Sequence, residues 1–282
     1  MTNQAPNAVA LAKGFGVAQY AICLKGVVWR EALRFLQQRE RFISALVRPL
    51  VWLFIFAAGF RSVLGVSIIP PYDTYVLYEV YITPGLMAMI QLFNGMQSSL
   101  SMVYDREMGN MRTLLVSPLP RWFLLTSRLV AGAAVSLLQV YAFLLVAYLW
   151  EIEPPSLWGY VTVLPALILS GLMFGALGML LSSLIKQLEN FAGVMNFVIF
   201  PMFFASSALY PLWRVKEGSP WLAFFCELNP FTHAVELIRF ALYQQVNPLA
   251  LAVVLGATAV FLAAAILAYD PSRGMLMRRE GL

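Results

Sequence analysis

Long runs of apolar residues dominate the chain, and the short segments between them carry most of the charge. A bilayer core about 30 Å thick needs roughly 20 helical residues at about 1.5 Å each. Five runs without a charged side chain meet that length, and a sixth run, 42–60, contains only Arg48, near its start. No run alternates with period two, so helices are favoured over barrel strands. The pattern predicts six transmembrane helices, at about 42–62, 80–104, 127–150, 158–183, 191–213 and 249–269.

Composition agrees with a membrane protein and excludes other classes. Hydrophobic residues make up 61% of the 282 residues and charged residues 12%, whereas an average soluble domain is about 25% charged. An aromatic content of 14% excludes a disordered chain. Cys23 and Cys226 fall on opposite sides of the predicted membrane, without metal-ligand neighbours at useful spacing. We therefore expect neither a disulfide within the chain nor a metal site.

The distribution of lysine and arginine predicts the orientation of the chain. With the N-terminus in the cytoplasm, 15 of the 19 basic residues fall on the cytoplasmic side, as the positive-inside rule requires. Both termini are then cytoplasmic. Residues 1–41 precede the transmembrane domain 42–270, residues 105–121 form a cytoplasmic loop, and residues 271–282 form a tail. The net charge of +5 reflects this topology and does not indicate a nucleic-acid partner.

An amphipathic segment precedes the first predicted span. Trp29, Leu33 and Leu36 recur at helical spacing and form one apolar face. The other side carries arginines, namely Arg30, Arg34, Arg39 and Arg41. This pattern predicts an amphipathic helix that lies in the inner membrane interface. The alternative is an ordinary solvated juxtamembrane helix.

Polar and small residues inside the spans allow two interpretations each. The second span carries a polar stripe that consists of Gln91, Asn94, Gln97, Ser98 and Ser101. These side chains either line a translocation path or form hydrogen bonds between helices. Gly171 and Gly175 form a GxxxG motif, which permits close packing either inside one subunit or between two subunits.

We find no convincing catalytic machinery in the sequence. HExxH and GxSxG are absent, and the chain contains no Gly-Lys pair, so it has no P-loop. The only histidine, His233, lies three residues from Glu236, which leaves a membrane enzyme as one alternative. The middles of the second to sixth spans contain no Asp, Glu, Lys, Arg or His. A proton-coupled carrier therefore lacks its usual residues, although a gradient-driven carrier remains an alternative.

Two loops carry distinctive patterns. The cytoplasmic loop after the second span begins "YDREMGNMRTLLVSPLPRW" at Tyr104, and its prolines stop a helix and redirect the chain, which suits docking to a partner. The segment 214–247 contains two apolar pieces that are each too short to span and that are divided at Asn229-Pro230. It predicts a re-entrant helical hairpin on the outer side, before the last helix.

These loops resemble the permease subunits of type-2 ABC exporters. The outer signature lies in "NPFTHAVELIR" and comprises Pro230, Phe231, His233, Glu236 and Arg239. The loop "REMGNMRTLLVSPLP" looks like the coupling segment of that family, although it departs from the common pattern at Asn110 and Arg112. The residues that the resemblance assigns to ATPase coupling are Asp105, Arg106, Glu107, Gly109, Arg112, Leu114 and Pro118.

The resemblance implies an all-α, multi-pass permease of the plasma (inner) membrane. Such a permease pairs with a second copy of itself and binds two separate ATPase subunits, which hold ATP and Mg²⁺. We therefore expect no cofactor and no catalytic residue in this chain. The expected cargo is apolar or amphipathic: a drug, a lipid, or a lipid-linked or lipo-oligosaccharide. A gradient-driven secondary transporter and a membrane enzyme that uses His233 are the alternatives.

Overall fold

The computed structural model describes residues 16–37, 39–60, 70–72, 75–107, 120–152, 156–185 and 187–268. Helices are the regular elements of these residues, which confirms the predicted all-α class. Ten helices occur in the described part of the chain. They are α1 (Val17–Gln37), α2 (Arg39–Phe60), α3 (Tyr78–Glu107), α4 (Arg121–Leu149), α5 (Gly159–Leu184), α6 (Leu188–Phe204), α7 (Leu212–Gly218), α8 (Pro220–Leu228), α9 (Pro230–Leu242) and α10 (Pro248–Ala268).

Three of the described helices are long and apolar enough to cross a membrane: α4 from Trp122, α5 and α10. Two apolar stretches are shorter, the segment Leu46–Ile55 of α2 and the whole of α6. Helix α3 has 30 residues, but polar side chains in its middle lower its mean hydropathy. The structure therefore supports a membrane protein, while the count of six spans stays a prediction.

Helix α6 ends at Phe204, although the sequence predicted a span that continues to residue 213. The hydroxyl of Ser206, just after the helix, donates to the carbonyl of Phe203 at 2.5 Å. The amide of Asn229 also binds the carbonyls of Met202 and Ala205, at 2.7 Å each. Because these side chains satisfy the last carbonyls of α6, the chain can leave the helix there.

Helices α3 and α5 form the centre of the bundle and pack most extensively on each other. Their backbones touch where a Cβ on Gly95 would lie 2.8 Å from the carbonyl of Phe174. A Cβ on Gly178 would lie 2.6 Å from the carbonyl oxygen of Gly95. The GxxxG motif faces neighbours in the same subunit, since a Cβ on Gly175 would meet Leu129 of α4 at 2.5 Å. Small residues therefore set the spacing at the centre of one subunit.

The bundle has two ends, which we name by what they carry. The loop end holds the end of α3 at Glu107, the start of α4 at Arg121 and the turn between α5 and α6. The hairpin end holds the start of α3 at Tyr78 and the short helices α7 to α9. Because α3 runs without interruption from one end to the other, it connects both regions that the sequence singled out.

Candidate functional site

The predicted coupling segment lies at the loop end. Its first residues, Asp105 to Glu107, form the last turn of α3. Gly109, Arg112, Leu114 and Pro118 lie outside the described residues, so their role in coupling stays a prediction. The described chain resumes at Pro120, whose extended backbone leads into α4.

The amphipathic helix α1 packs on α4 immediately after this segment. The ring of Tyr20 stacks on Trp122 at 6.5 Å and meets Phe123 edge-on at 4.8 Å. Other apolar side chains of α1 are exposed, and the side chain of Trp29 is 65% exposed. An exposed tryptophan on an amphipathic helix is typical of a membrane interface. Helix α1 contains the predicted apolar face and touches the first turns of α4, whereas Arg39 and Arg41, predicted on the same amphipathic segment, belong to α2. The place of α1 at the membrane interface stays a prediction.

At the hairpin end, Asn229 joins α8 to α9. Its side-chain oxygen accepts a hydrogen bond from the backbone N–H of Phe231 at 3.0 Å and so caps α9. Pro230 occupies the first turn, where a missing N–H costs no helical bond. The amide nitrogen of Asn229 binds the carbonyls at the end of α6. The Asn-Pro pair therefore both starts α9 and fastens it to α6.

Phe231 and Arg239 bury the signature helix α9 against the bundle. The Phe231 side chain is fully buried between Phe174 of α5, at 5.4 Å, and Phe203 of α6, at 6.0 Å. The Arg239 side chain is only 3% exposed and pairs with the carboxylate of Glu236. The two contacts place aromatic and charged anchors on the same short helix.

The Arg239 guanidinium also reaches two other elements. It donates to the carbonyl of Ser207 at 2.9 Å and lies 4.2 Å from the ring centroid of Tyr81. The Tyr81 hydroxyl donates to the same Ser207 carbonyl at 3.0 Å. Burial by itself would lower the pKa of Arg239, but the Glu236 carboxylate beside it raises that pKa above its usual range. Arg239 is therefore a permanent cation that ties α9 to α3 and to the segment after α6.

His233 and Glu236 do not act on each other. The Nε2 of His233 lies 2.9 Å from the carbonyl oxygen of Glu227, whereas the Glu236 carboxylate is engaged by Arg239. Because each group has a different partner, this geometry gives no support to a catalytic His233–Glu236 pair. The signature residues serve here as structural contacts of the hairpin.

The polar residues of the α3 stripe contact several different helices. Gln91 donates to the carbonyl of Leu167 and accepts from the hydroxyl of Ser170, both at 2.6 Å, so it joins α3 to α5. Asn94 donates to the side-chain oxygen of Gln139 at 2.8 Å and joins α3 to α4. These two residues therefore make hydrogen bonds between helices, which was one of the two interpretations of the stripe.

The remaining stripe residues border two cavities. Ser98 and Ser101 line a cavity of about 70 Å³ between α1, α3, α4 and α5, together with Arg30 and Arg128. Gln97 lines a cavity of about 50 Å³ on another side of α3. Whether any of them lines a translocation path stays a prediction.

The cavity beside Gln97 also contains Arg48, a residue that the sequence analysis placed near the start of the first span. The guanidinium of Arg48 lies 4.0 Å from the ring centroid of Phe93. Phe93 is the sixteenth of the 30 residues of α3, so this contact lies halfway along the helix. The signal in the sequence was a single cation within an apolar run, but its depth depended on the contact with α3.

Comparisons with known proteins place the chain among membrane transport proteins. A family model described as "ABC-2 type transporter" matches residues 23–243. A protein of Cyanophora paradoxa that is named as a transport permease, ycf38, is 29% identical over 213 residues, which cover 73% of this chain and 70% of the relative. The inner membrane transport permease YadH of Escherichia coli (strain K12) is 23% identical over 246 residues, covering 87% of this chain and 92% of the relative. YbhR of the same strain, which is named as a multidrug ABC transporter permease, is 29% identical over 170 residues, covering 60% of this chain and 45% of the relative.

Proposed function

Because this chain belongs to the ABC-2 type transporter family, we propose that it is the permease subunit of an ATP-driven exporter. The observation that carries the proposal is the family match over most of the chain, together with the absence of a P-loop from the sequence. A permease without a P-loop needs ATP and Mg²⁺ in a partner. The proposed assembly contains two copies of this chain and two ATPase subunits.

The loop end faces the cytoplasm in this proposal, and the ATPase subunits dock there on residues 105–121 and on α1. Two observations support that arrangement. The positive-inside rule favours a cytoplasmic position for the loop end. Helix α1 also contacts the first turns of α4, directly after the proposed docking loop. Closure of the ATPases would then displace the end of α3 and the start of α4 together.

Helix α3 transmits that displacement in the proposed mechanism. At 1.5 Å per residue, a helix of this length extends over about 45 Å. Its residues 81 to 96 are buried on all sides, so the helix moves together with its neighbours rather than bending alone. At the hairpin end it contacts Arg239 through Tyr81. A movement at Glu107 therefore reaches the hairpin, which opens or closes the exit of the path.

The cargo in this proposal is an apolar or amphipathic molecule: a drug, a lipid, or a lipid-linked or lipo-oligosaccharide. Aromatic side chains support such a cargo, since Phe200 and Phe204 of α6 are exposed and stack at 6.2 Å. The relative YbhR, which is named as a multidrug permease, is consistent with this class of cargo.

The coupling role is tested with the Glu107→Lys and Arg112→Glu variants, each co-purified with its ATPase subunit in proteoliposomes. We expect both variants to lose cargo-stimulated ATP hydrolysis, because they reverse charges in the proposed docking loop. Glu217→Lys is the matched control, since Glu217 is exposed on α7 at the opposite end of the bundle. Stimulation in the loop variants equal to that in the control would contradict the proposal.

The alternatives predict different outcomes in the same proteoliposomes. A gradient-driven carrier would move cargo without ATP and would stop when an ionophore dissipates the gradient. An ATP-driven permease requires ATP and is insensitive to the ionophore. A membrane enzyme that uses His233 would lose activity on His233→Ala, whereas we expect that variant to keep transport.

A further inference from the structure

Arg48 places a positive charge against α3, halfway along that helix. Its guanidinium packs on the ring of Phe93 at 4.0 Å, and its side chain is exposed on the surface of the subunit. The buried ion pair between Arg239 and Glu236 lies at the hairpin end and does not involve Arg48. Arg48 is thus a cation beside the middle of α3 that no acidic side chain of the described residues neutralises.

A lipid tail is a poor neighbour for this charge. A charged side chain at the centre of a bilayer is costly, and such residues therefore face water-filled cavities, polar partners or ligands. A second copy of this chain in a symmetric contact would present the same surface to itself. The sequence places no acidic residue in the middle of α2, α3 or α6, so that surface supplies no counter-charge. The arginine is therefore best explained by an anion that passes it.

The surroundings of Arg48 suit an organic anion. Gln97 and Gln139 line the same cavity of about 50 Å³ as Arg48. Aromatic rings continue from Phe93 along α6, since Phe93 meets Phe200 at 6.5 Å and Phe200 stacks on Phe204 at 6.2 Å. Trp52, one turn after Arg48, lies 5.8 Å from Phe204. Arg48 thus lies at the edge of a row of aromatic rings, which we call the aromatic wall and which consists of Trp52, Phe93, Phe200 and Phe204.

We propose that Arg48, with Gln97 and the aromatic wall, binds the anionic group of an amphipathic organic anion on its way through the permease. Arginine donates paired hydrogen bonds that match a carboxylate, sulfonate or phosphate. The aromatic rings accommodate the apolar part of the same molecule. This inference rests on the proposed export function and narrows its cargo to amphipathic anions.

Thiol labelling tests whether water and anions reach this position. The full-length chain is co-expressed with its ATPase subunit, Cys23 and Cys226 are replaced by Ser, and Gln97→Cys is introduced as the reporter. Two membrane-impermeant methanethiosulfonates are compared, the anionic sulfonatoethyl and the cationic trimethylammonioethyl reagent. The matched control is Val260→Cys, since Val260 is exposed in the middle of the apolar helix α10. We expect labelling at Gln97→Cys and none at Val260→Cys.

The charge of Arg48 is tested in the same chain. In water, a positive charge about 4 Å away raises the local concentration of an anionic reagent about fivefold and lowers that of a cationic reagent about fivefold. Arg48→Gln should therefore lower the ratio of anionic to cationic labelling by about tenfold or more. Arg48→Lys keeps the charge and should keep most of the ratio. Decyl phosphate should slow the labelling in the Arg48 chain and not in the Arg48→Gln chain, whereas decyltrimethylammonium should slow neither.

Three results would overturn this inference. The first is absence of labelling at Gln97→Cys, or a disulfide between two copies at that position, which would mean that lipid or a second copy covers Arg48. The second is a labelling ratio that Arg48→Gln leaves unchanged. The third is equal protection by decyl phosphate with and without Arg48. None of these measurements requires ATP hydrolysis, so a failure of the export function would be recognised separately.

Discussion

The buried ion pair at the hairpin end makes a quantitative prediction about stability. Arg239→Met removes a cation that pairs with Glu236 and donates to the carbonyl of Ser207. Breaking a buried pair by removing one partner costs about 3–5 kcal/mol, and a hydrogen bond to a charged group contributes about 1.5–3 kcal/mol. The Glu236 side chain is 21% exposed, so its carboxylate can regain some water. The Ser207 carbonyl also keeps the Tyr81 hydroxyl.

We therefore expect Arg239→Met to destabilise the subunit by about 2–3 kcal/mol. For a chain of this size that loss lowers the unfolding midpoint by about 3–5 °C. The measurement is thermal unfolding of the purified subunit in lipid nanodiscs. Arg214→Gln is the matched control, because Arg214 is exposed on α7 and its guanidinium packs on the neighbouring ring of Trp213. Its midpoint should stay within about 1 °C of the parent.

A double variant distinguishes the ion pair from simple loss of packing. If the charges act as a pair, Glu236→Met should be strongly destabilising alone, since it leaves the buried Arg239 cation without its carboxylate. Adding Glu236→Met to Arg239→Met should then cost little, because two apolar side chains replace a neutralised pair. An Arg239→Met midpoint equal to that of the parent, or a double variant whose loss equals the sum of the two single losses, would refute the reasoning.

Three further predictions follow from single contacts. Gly178→Leu should abolish the yield of folded, monodisperse protein, because its Cβ would lie 2.6 Å from the Gly95 carbonyl oxygen. Gly256→Leu is the control and should keep the yield, since a Cβ there would have no atom within 4 Å. Equal yields of the two variants by size-exclusion chromatography would contradict this prediction. Asn229→Ala removes the cap of α9 and two hydrogen bonds to α6, and should cost about 1–3 kcal/mol by thermal unfolding, with an unchanged midpoint as the contrary result. Burial raises the pKa of the Cys226 thiol above its usual value, so at pH 8 less of it is thiolate than of an ordinary thiol. Peptide mass spectrometry after maleimide treatment should therefore find Cys23 modified and Cys226 modified only at higher pH or after unfolding, and rapid labelling of Cys226 at pH 8 would be the contrary result.

The sequence was sufficient for the helical class and for the position of the hairpin, and insufficient for the partners of single polar side chains. Apolar runs and the Asn229-Pro230 break are local signals, and both correspond to observed helices. Helical spacing tells which residues share a face, but it does not tell which neighbour that face meets. Gln97 and Ser98 are adjacent, yet they border different cavities, because successive residues of a helix point about 100° apart.

Arg48 shows the same limit for a charged residue. It lies near the start of the run 42–60, and its guanidinium packs on Phe93, 45 residues later in the chain. The hydrogen bond between Asn94 and Gln139 also joins residues 45 positions apart. Contacts of this kind depend on how α2, α3 and α4 pack together, and apolar packing of that sort leaves no local signature in the sequence.

The three regions to which we assign a functional role all involve one continuous helix, α3. Helix α3 carries the start of the coupling segment at its last turn, the Arg48 contact at Phe93 near its middle, and the Arg239 contact at Tyr81 near its first turn. Gly95 fixes its spacing to α5 by backbone contact, so α3 cannot shift alone without opening a gap in the core. A movement imposed at the coupling segment must therefore displace α3 and α5 together. The proposed anion site and the hairpin would then change at the same time, which is the coordination that the proposed exporter needs between releasing its cargo and opening its exit.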